Sequence, residues 1–152
     1  MGRGLLLVGV LAVAVLGGCA SPAPTTRSAP PSATYTASLA DLQDKVDSIA
    51  QDSCTTRPAV QAYPDCARYV AEVGNAALAT QGAAASVGGA SQLGATATRL
   101  ADEVGLFSRT GCVAAPGVAG PPPQTCGDAL RRIQVDLTAM RTQLDDTARR
   151  TP

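Results

Sequence analysis

The sequence predicts an all-α fold, a four-helix up-down bundle built from two helical hairpins. Three observations carry this. From Ser38 onward the apolar residues recur at intervals of three and four, the period of one helix face. Val and Ile nowhere alternate with polar residues for long, so no strand pattern competes. The order helix, Cys, Pro-containing loop, Cys, helix occurs twice, around Cys54 and Cys66 and again around Cys112 and Cys126.

The first helix is expected over about 39–53. Leu39, Leu42, Val46 and Ile49 form its stripe, and Ser38 with Asp41 three residues later resembles a capping box with Asp in place of Glu. The second opens at Pro64, suited to a first helical position, with Asp65 near the positive end of the dipole. Its stripe of Cys66, Val70, Val73, Ala77 and Ala84 is thin, and the adjacent glycines 88 and 89 end it. Leu93, Ala97, Leu100, Val104 and Phe107 mark the third helix. A loop rich in Pro and Gly follows Gly111. The fourth helix is the clearest: Leu130, Ile133, Leu137, Met140 and Leu144 form its stripe, Asp128 stands in its first turn, and Arg149 and Arg150 close it where cations are favoured. Acid-before-base pairs four apart, Asp41 with Lys45, Asp128 with Arg132, Asp145 with Arg149 and Asp146 with Arg150, read as solvated faces worth a few tenths of a kcal/mol each.

The segment ahead of these helices has a different character. Met1-Gly2-Arg3-Gly4 and the apolar run Leu5 to Leu16 have the lengths of the charged and apolar regions of a secretory signal. Twelve apolar residues fall short of the roughly 20 that span a bilayer. The run ends in Leu16-Gly17-Gly18-Cys19, which resembles the bacterial lipobox. The resemblance implies diacylglycerol on the Cys19 sulfur, cleavage before Cys19, and a lipoprotein held at the extracytoplasmic face of the cell membrane. An ordinary signal peptide cut after Ala20 is the competing reading, and export is common to both. The domains expected are thus a signal peptide at 1–18, lipidated Cys19 with a tether at 19–37, and the helical domain at 38–150. Residues 20–37 are rich in Pro, Ser, Thr and Ala, too poor in large apolar groups to offset the entropy of ordering, and read as a disordered tether. Extended as polyproline II, they would reach roughly 55 Å. Their Ser and Thr residues are candidate O-glycan acceptors, with a bare spacer the preferred reading. Eleven of the twelve cations are arginine and Ala and Gly abound, a composition that resembles a high-GC actinobacterial gene.

Setting Cys19 aside, Cys54, Cys66, Cys112 and Cys126 make an even number in an exported chain, which points to two disulfides. Four cysteines allow three connectivities. In an up-down bundle all four thiols meet at one end, so every pairing is reachable. Cys54 with Cys66 and Cys112 with Cys126 is preferred, because each pair closes the nearest loop. Cys54 with Cys112 and Cys66 with Cys126 would instead join the hairpins.

The residues that carry most chemistry are missing. The chain has no His, the commonest general base and neutral metal ligand. No C-x-x-C pair suits zinc or thiol exchange, and no phosphate loop, G-x-S-x-G elbow or EF-hand loop is present. Asp102-Glu103 and Asp145-Asp146 are adjacent on helices and point about 100° apart, which suits solvated surface better than paired catalysis. Twelve Lys and Arg balance twelve Asp and Glu, so there is no basic field for nucleic acid. The expectation is a non-enzymatic envelope lipoprotein without cofactor, metal or catalytic residue, whose partners are the membrane, through the lipid on Cys19, and an envelope protein or wall component. The alternative is a carrier or sensor of a small apolar ligand between helices, for which Tyr35, Tyr63, Tyr69 and Phe107 are a thin aromatic supply.

Overall fold

The computed structural model describes residues 37–113 and 119–151, and these are mostly helical with no strand among them. The expected signal peptide, Cys19 and nearly all of the expected tether lie outside the described residues. Among the described residues there are six α-helices instead of four. Four are long: α1 (Leu39–Ala50), α4 (Ala67–Ser86), α5 (Ser91–Arg109) and α6 (Pro123–Arg150). Two single-turn helices, α2 (Ser53–Thr56) and α3 (Ala59–Ala62), occupy the span expected to be loop, followed by a 3-10 turn at Tyr63–Asp65.

The local chemistry explains each departure. Ser38 caps α1 through the full capping box, the Asp41 amide donating to Ser38 Oγ at 3.1 Å and the Ser38 amide to Asp41 Oδ2 at 3.2 Å. The helix stops at Ala50, short of 53, because Asp52 turns to extended backbone and accepts from the Cys54 amide at 2.8 Å, capping α2. Pro58 and Pro64 lack the N–H that a continuing helix would need, so α3 and the 3-10 turn are short and α4 starts only at Ala67. At the other end of the sequence α6 begins earlier than its apolar stripe, with Pro123 in its first turn, which puts Cys126 inside the helix and moves Asp128 beyond that turn.

The end of α5 sets the position of Cys112. Gly111 has φ +81°, the left-handed conformation that glycine adopts without steric cost. The Gly111 amide donates to the Ser108 carbonyl at 3.1 Å and the Cys112 amide to the Phe107 carbonyl at 3.2 Å, the paired bonds of a Schellman motif.

The long helices touch in a ring: α1 packs on α4, α4 on α5, α5 on α6 and α6 on α1, while α3 sits on α6. Contacts fall in reversed order along α1 and α6 and along α5 and α6. Gln43 meets Asp145 and Asp47 meets Arg141 on α1 and α6, while Lys45 meets Glu72 on α1 and α4. On α5 and α6, Arg99 meets Asp136 and Glu103 meets Arg132. The expected pairs four apart give way to these contacts wherever a neighbouring helix offers a nearer carboxylate. Arg131 and Arg149 bond carboxylates three residues away, Asp128 and Asp146.

The core is made as much by small residues as by large ones. Val46, Val73, Leu100, Phe107, Leu130, Ile133, Leu137 and Met140 are fully buried, and so are Ala62, Ala77 and Ala97. Small residues let backbones approach: a Cβ built on Gly74 would lie 2.9 Å from Val104 Cγ1, and one on Gly127 would lie 2.8 Å from the Val60 Cα. The second contact has backbone on the far side and little room to relax. Gly127→Ala is therefore expected to lower stability by about 1–3 kcal/mol. Gly82→Ala, where nothing lies within 4 Å in the middle of α4, should raise it by roughly 0.5–1 kcal/mol. Urea unfolding midpoints of the two variants would test the contrast.

Candidate functional site

The four cysteines come together as two pairs, Cys54 with Cys66 (Cα–Cα 5.8 Å) and Cys112 with Cys126 (Cα–Cα 5.4 Å). These separations are ordinary for disulfides, and the pairing is the one that closes the nearest loops. All four sulfurs are buried. The first loop is held to α6 from outside the pair: Gln134 Nε2 donates to the Cys54 carbonyl at 2.7 Å and also reaches the Arg57 carbonyl at 3.5 Å. Val60 from the same loop sits on Gly127, next to Cys126. The two stapled loops thus share one seat on α6. A cleft of about 210 Å³ lies between them, lined by Tyr63 and Pro64 from one and Gly111, Cys112, Gly120 and Pro121 from the other.

A wider groove, of about 320 Å³, runs between α5 and α6. Arg99 and Glu103 line it from α5, and Arg131, Arg132, Val135 and Asp136 from α6. Arg99 Nε lies 3.0 Å from Asp136 Oδ1, and Arg132 Nε lies 2.9 Å from Glu103 Oε2. Val135 lines the same groove and is 62% exposed.

The other titratable groups considered from sequence do not converge. Glu103 is turned to Arg132 while its neighbour Asp102 is exposed. Asp145 accepts from Gln43 Nε2 at 2.9 Å while Asp146 faces Arg149. Each adjacent pair is split between different partners, as the 100° step along a helix requires. Among the described residues no group of three His, Cys, Asp or Glu is placed to hold a metal, and no helix is long and apolar enough to cross a membrane. Of the aromatics, Tyr69 and Phe107 are buried in the core, Tyr63 lines the loop cleft, and Tyr35 lies outside the described residues.

Among the described residues Tyr69 is the one buried phenol, and the sequence marks it only as an aromatic. No hydrogen bond of ordinary geometry reaches its hydroxyl, and the nearby Thr55 hydroxyl donates to the Ile49 carbonyl at 3.1 Å. Burial pushes the Tyr69 pKa above 10.0, Thr55 opposes the shift, and the Asp52 carboxylate adds to it.

Comparison of the chain with protein-family models, with curated proteins and with solved structures gives no match.

Two expectations follow. A phenol harder to ionise when folded carries no ionisation penalty at neutral pH, but as pH rises above the unfolded value of about 10 the unfolded state ionises first and stability is lost. Wild type should therefore lose stability above pH 10 more steeply than Tyr69→Phe, in thermal unfolding across pH 8 to 11. At pH 7 the Phe variant should be as stable or slightly more so, since an unpartnered hydroxyl is removed. Replacing Cys112 and Cys126 together by Ala should cost on the order of 3 kcal/mol, read by the same unfolding with Cys54 and Cys66 intact.

Proposed function

We propose that this chain is a bacterial cell-envelope lipoprotein, anchored outside the cytosol by lipid on Cys19, whose helical domain is a non-enzymatic binding or structural module. The single observation that carries the reading is Leu16-Gly17-Gly18-Cys19 at the end of a twelve-residue apolar run, with Pro22 and Pro24 directly after it. Two disulfides in a chain of this size support export independently, because such bonds persist in oxidising compartments. The anchor, the Pro/Ser/Thr-rich spacer and the stapled domain together suit display at the membrane surface, toward an envelope protein or wall component.

We further propose that the domain is a four-helix up-down bundle of two hairpins, α1 with α4 and α5 with α6, into which α2 and α3 are inserted as part of the first connection. The reversed order of contacts along α1 and α6, α4 and α5, and α5 and α6 supports this. Nuclear Overhauser contacts between α1 and α6 that ascend on one helix as they descend on the other test it.

The anchor is tested by Cys19→Ser. The variant is expected to accumulate as unprocessed precursor or to appear in the medium, and to take up no radiolabelled fatty acid. Fractionation that finds a processed variant still membrane-bound would overturn the anchor. Intact mass of the wild-type protein should carry the added acyl chains.

A further inference from the structure

The groove between α5 and α6 has a charge arrangement that selects its occupant. Along α5 a cation, Arg99, is followed one turn later by an anion, Glu103. Facing them on α6, at the same two levels, stand an anion, Asp136, and a cation, Arg132. Signs therefore alternate both along each helix and across the groove, as on a two-by-two checkerboard. Arg131 is bonded to Asp128 at 3.4 Å beside it. Every arginine of the groove is already matched within the chain, so an acidic ligand would have to break existing ion pairs to bind, and a basic one would meet carboxylates already engaged.

What remains unmatched is apolar. Val135 is 62% exposed in the groove, and Leu106, one turn past Glu103 on the same face of α5, is 39% exposed. We infer that a second copy of this chain docks here, face to face about a two-fold axis. An isologous contact brings a surface against itself, so the surface must be self-complementary. A checkerboard meets that condition for a two-fold lying in the contact plane, whether across the helices or along them. Across them, Arg99 faces the level of Glu103 of the copy. Along them, Arg99 faces the level of Asp136 of the copy. Either way opposite signs meet, and the Val135 side chains are covered.

The test uses the full chain, purified in a mild detergent with micelles in large excess, and sedimentation equilibrium over a range of concentrations. The expected result is a mass that moves from one chain to two, with a dissociation constant that weakens as NaCl is raised from about 0.05 to 0.5 M. Val135→Asp replaces the exposed apolar side chain of the contact by a carboxylate that must be desolvated, and is expected to weaken association at least tenfold. The position is exposed, so circular dichroism should report unchanged helicity. A single-chain mass at every concentration overturns the inference and leaves the groove to a different protein. So does a dimer indifferent to both salt and Val135→Asp.

Discussion

The seating of Val60 on Gly127 is the contact through which the two stapled loops stand together. Val60 lies within the loop closed by Cys54 and Cys66, and Gly127 follows Cys126 of the second pair. A side chain at position 127 would meet Val60 backbone, so α3 approaches α6 only because α6 is bare there. Gln134, two turns further along α6, bonds the Cys54 and Arg57 carbonyls and holds both ends of α2 against the same helix. The first turns of α6 thereby act as a common floor, and a disturbance of one loop is felt at the other. Each disulfide limits the unfolded ensemble of its own loop, while the shared floor couples them in the folded state.

The long helices were legible because their signal is periodic. Leu130, Ile133, Leu137, Met140 and Leu144 repeat over about four turns, and all are buried. The α4 stripe of Cys66, Val70, Val73, Ala77 and Ala84 is narrower than the face the helix buries. Ala76, Ala83 and Gly74 are buried as well, and the helix meets its neighbours through them. Single-turn helices carry no period, so α2 and α3 were illegible. What makes them is a side-chain cap at Asp52 and two prolines, features that also fit an irregular loop. The nearest-neighbour disulfides were legible from spacing, since a cysteine at each end of a short connection between adjacent helices already lies near its partner. Contacts between distant positions, such as Val60 with Gly127 or Arg99 with Asp136, leave no local trace in one sequence.

The charges illustrate the same limit from another side. Spacing of four along a helix suggests intrahelical pairs, yet the helices here are close enough for cations to reach across. Arg132 bonds Glu103 and Arg141 bonds Asp47, both from other helices. Such exposed pairs contribute little to stability, of the order of 0–1 kcal/mol each. Their consequence is arrangement. Because α5 and α6 run in opposite directions, two pairs with the same order, arginine first and carboxylate one turn later, fall into an alternating pattern across the groove. The pattern is a product of sequence order and helix direction together, and neither alone contains it.

The proposed destination and the construction of the domain are linked by chemistry. Much of the interior is Ala, which buries less apolar surface per residue than Leu or Phe and so contributes less to stability. A domain built this way gains from cross-links, and small exported domains with lean cores carry disulfides for that reason. In a reducing cytosol both pairs would open, and the stapled end would then be held by Val60, Gln134 and the Asp52 cap alone. Alanine is also what permits the close approach of α4 to α5, where Ala84 lies against Gly94. Close packing, a lean core and oxidised cysteines are thus one solution, and it is a solution that works outside the cytosol.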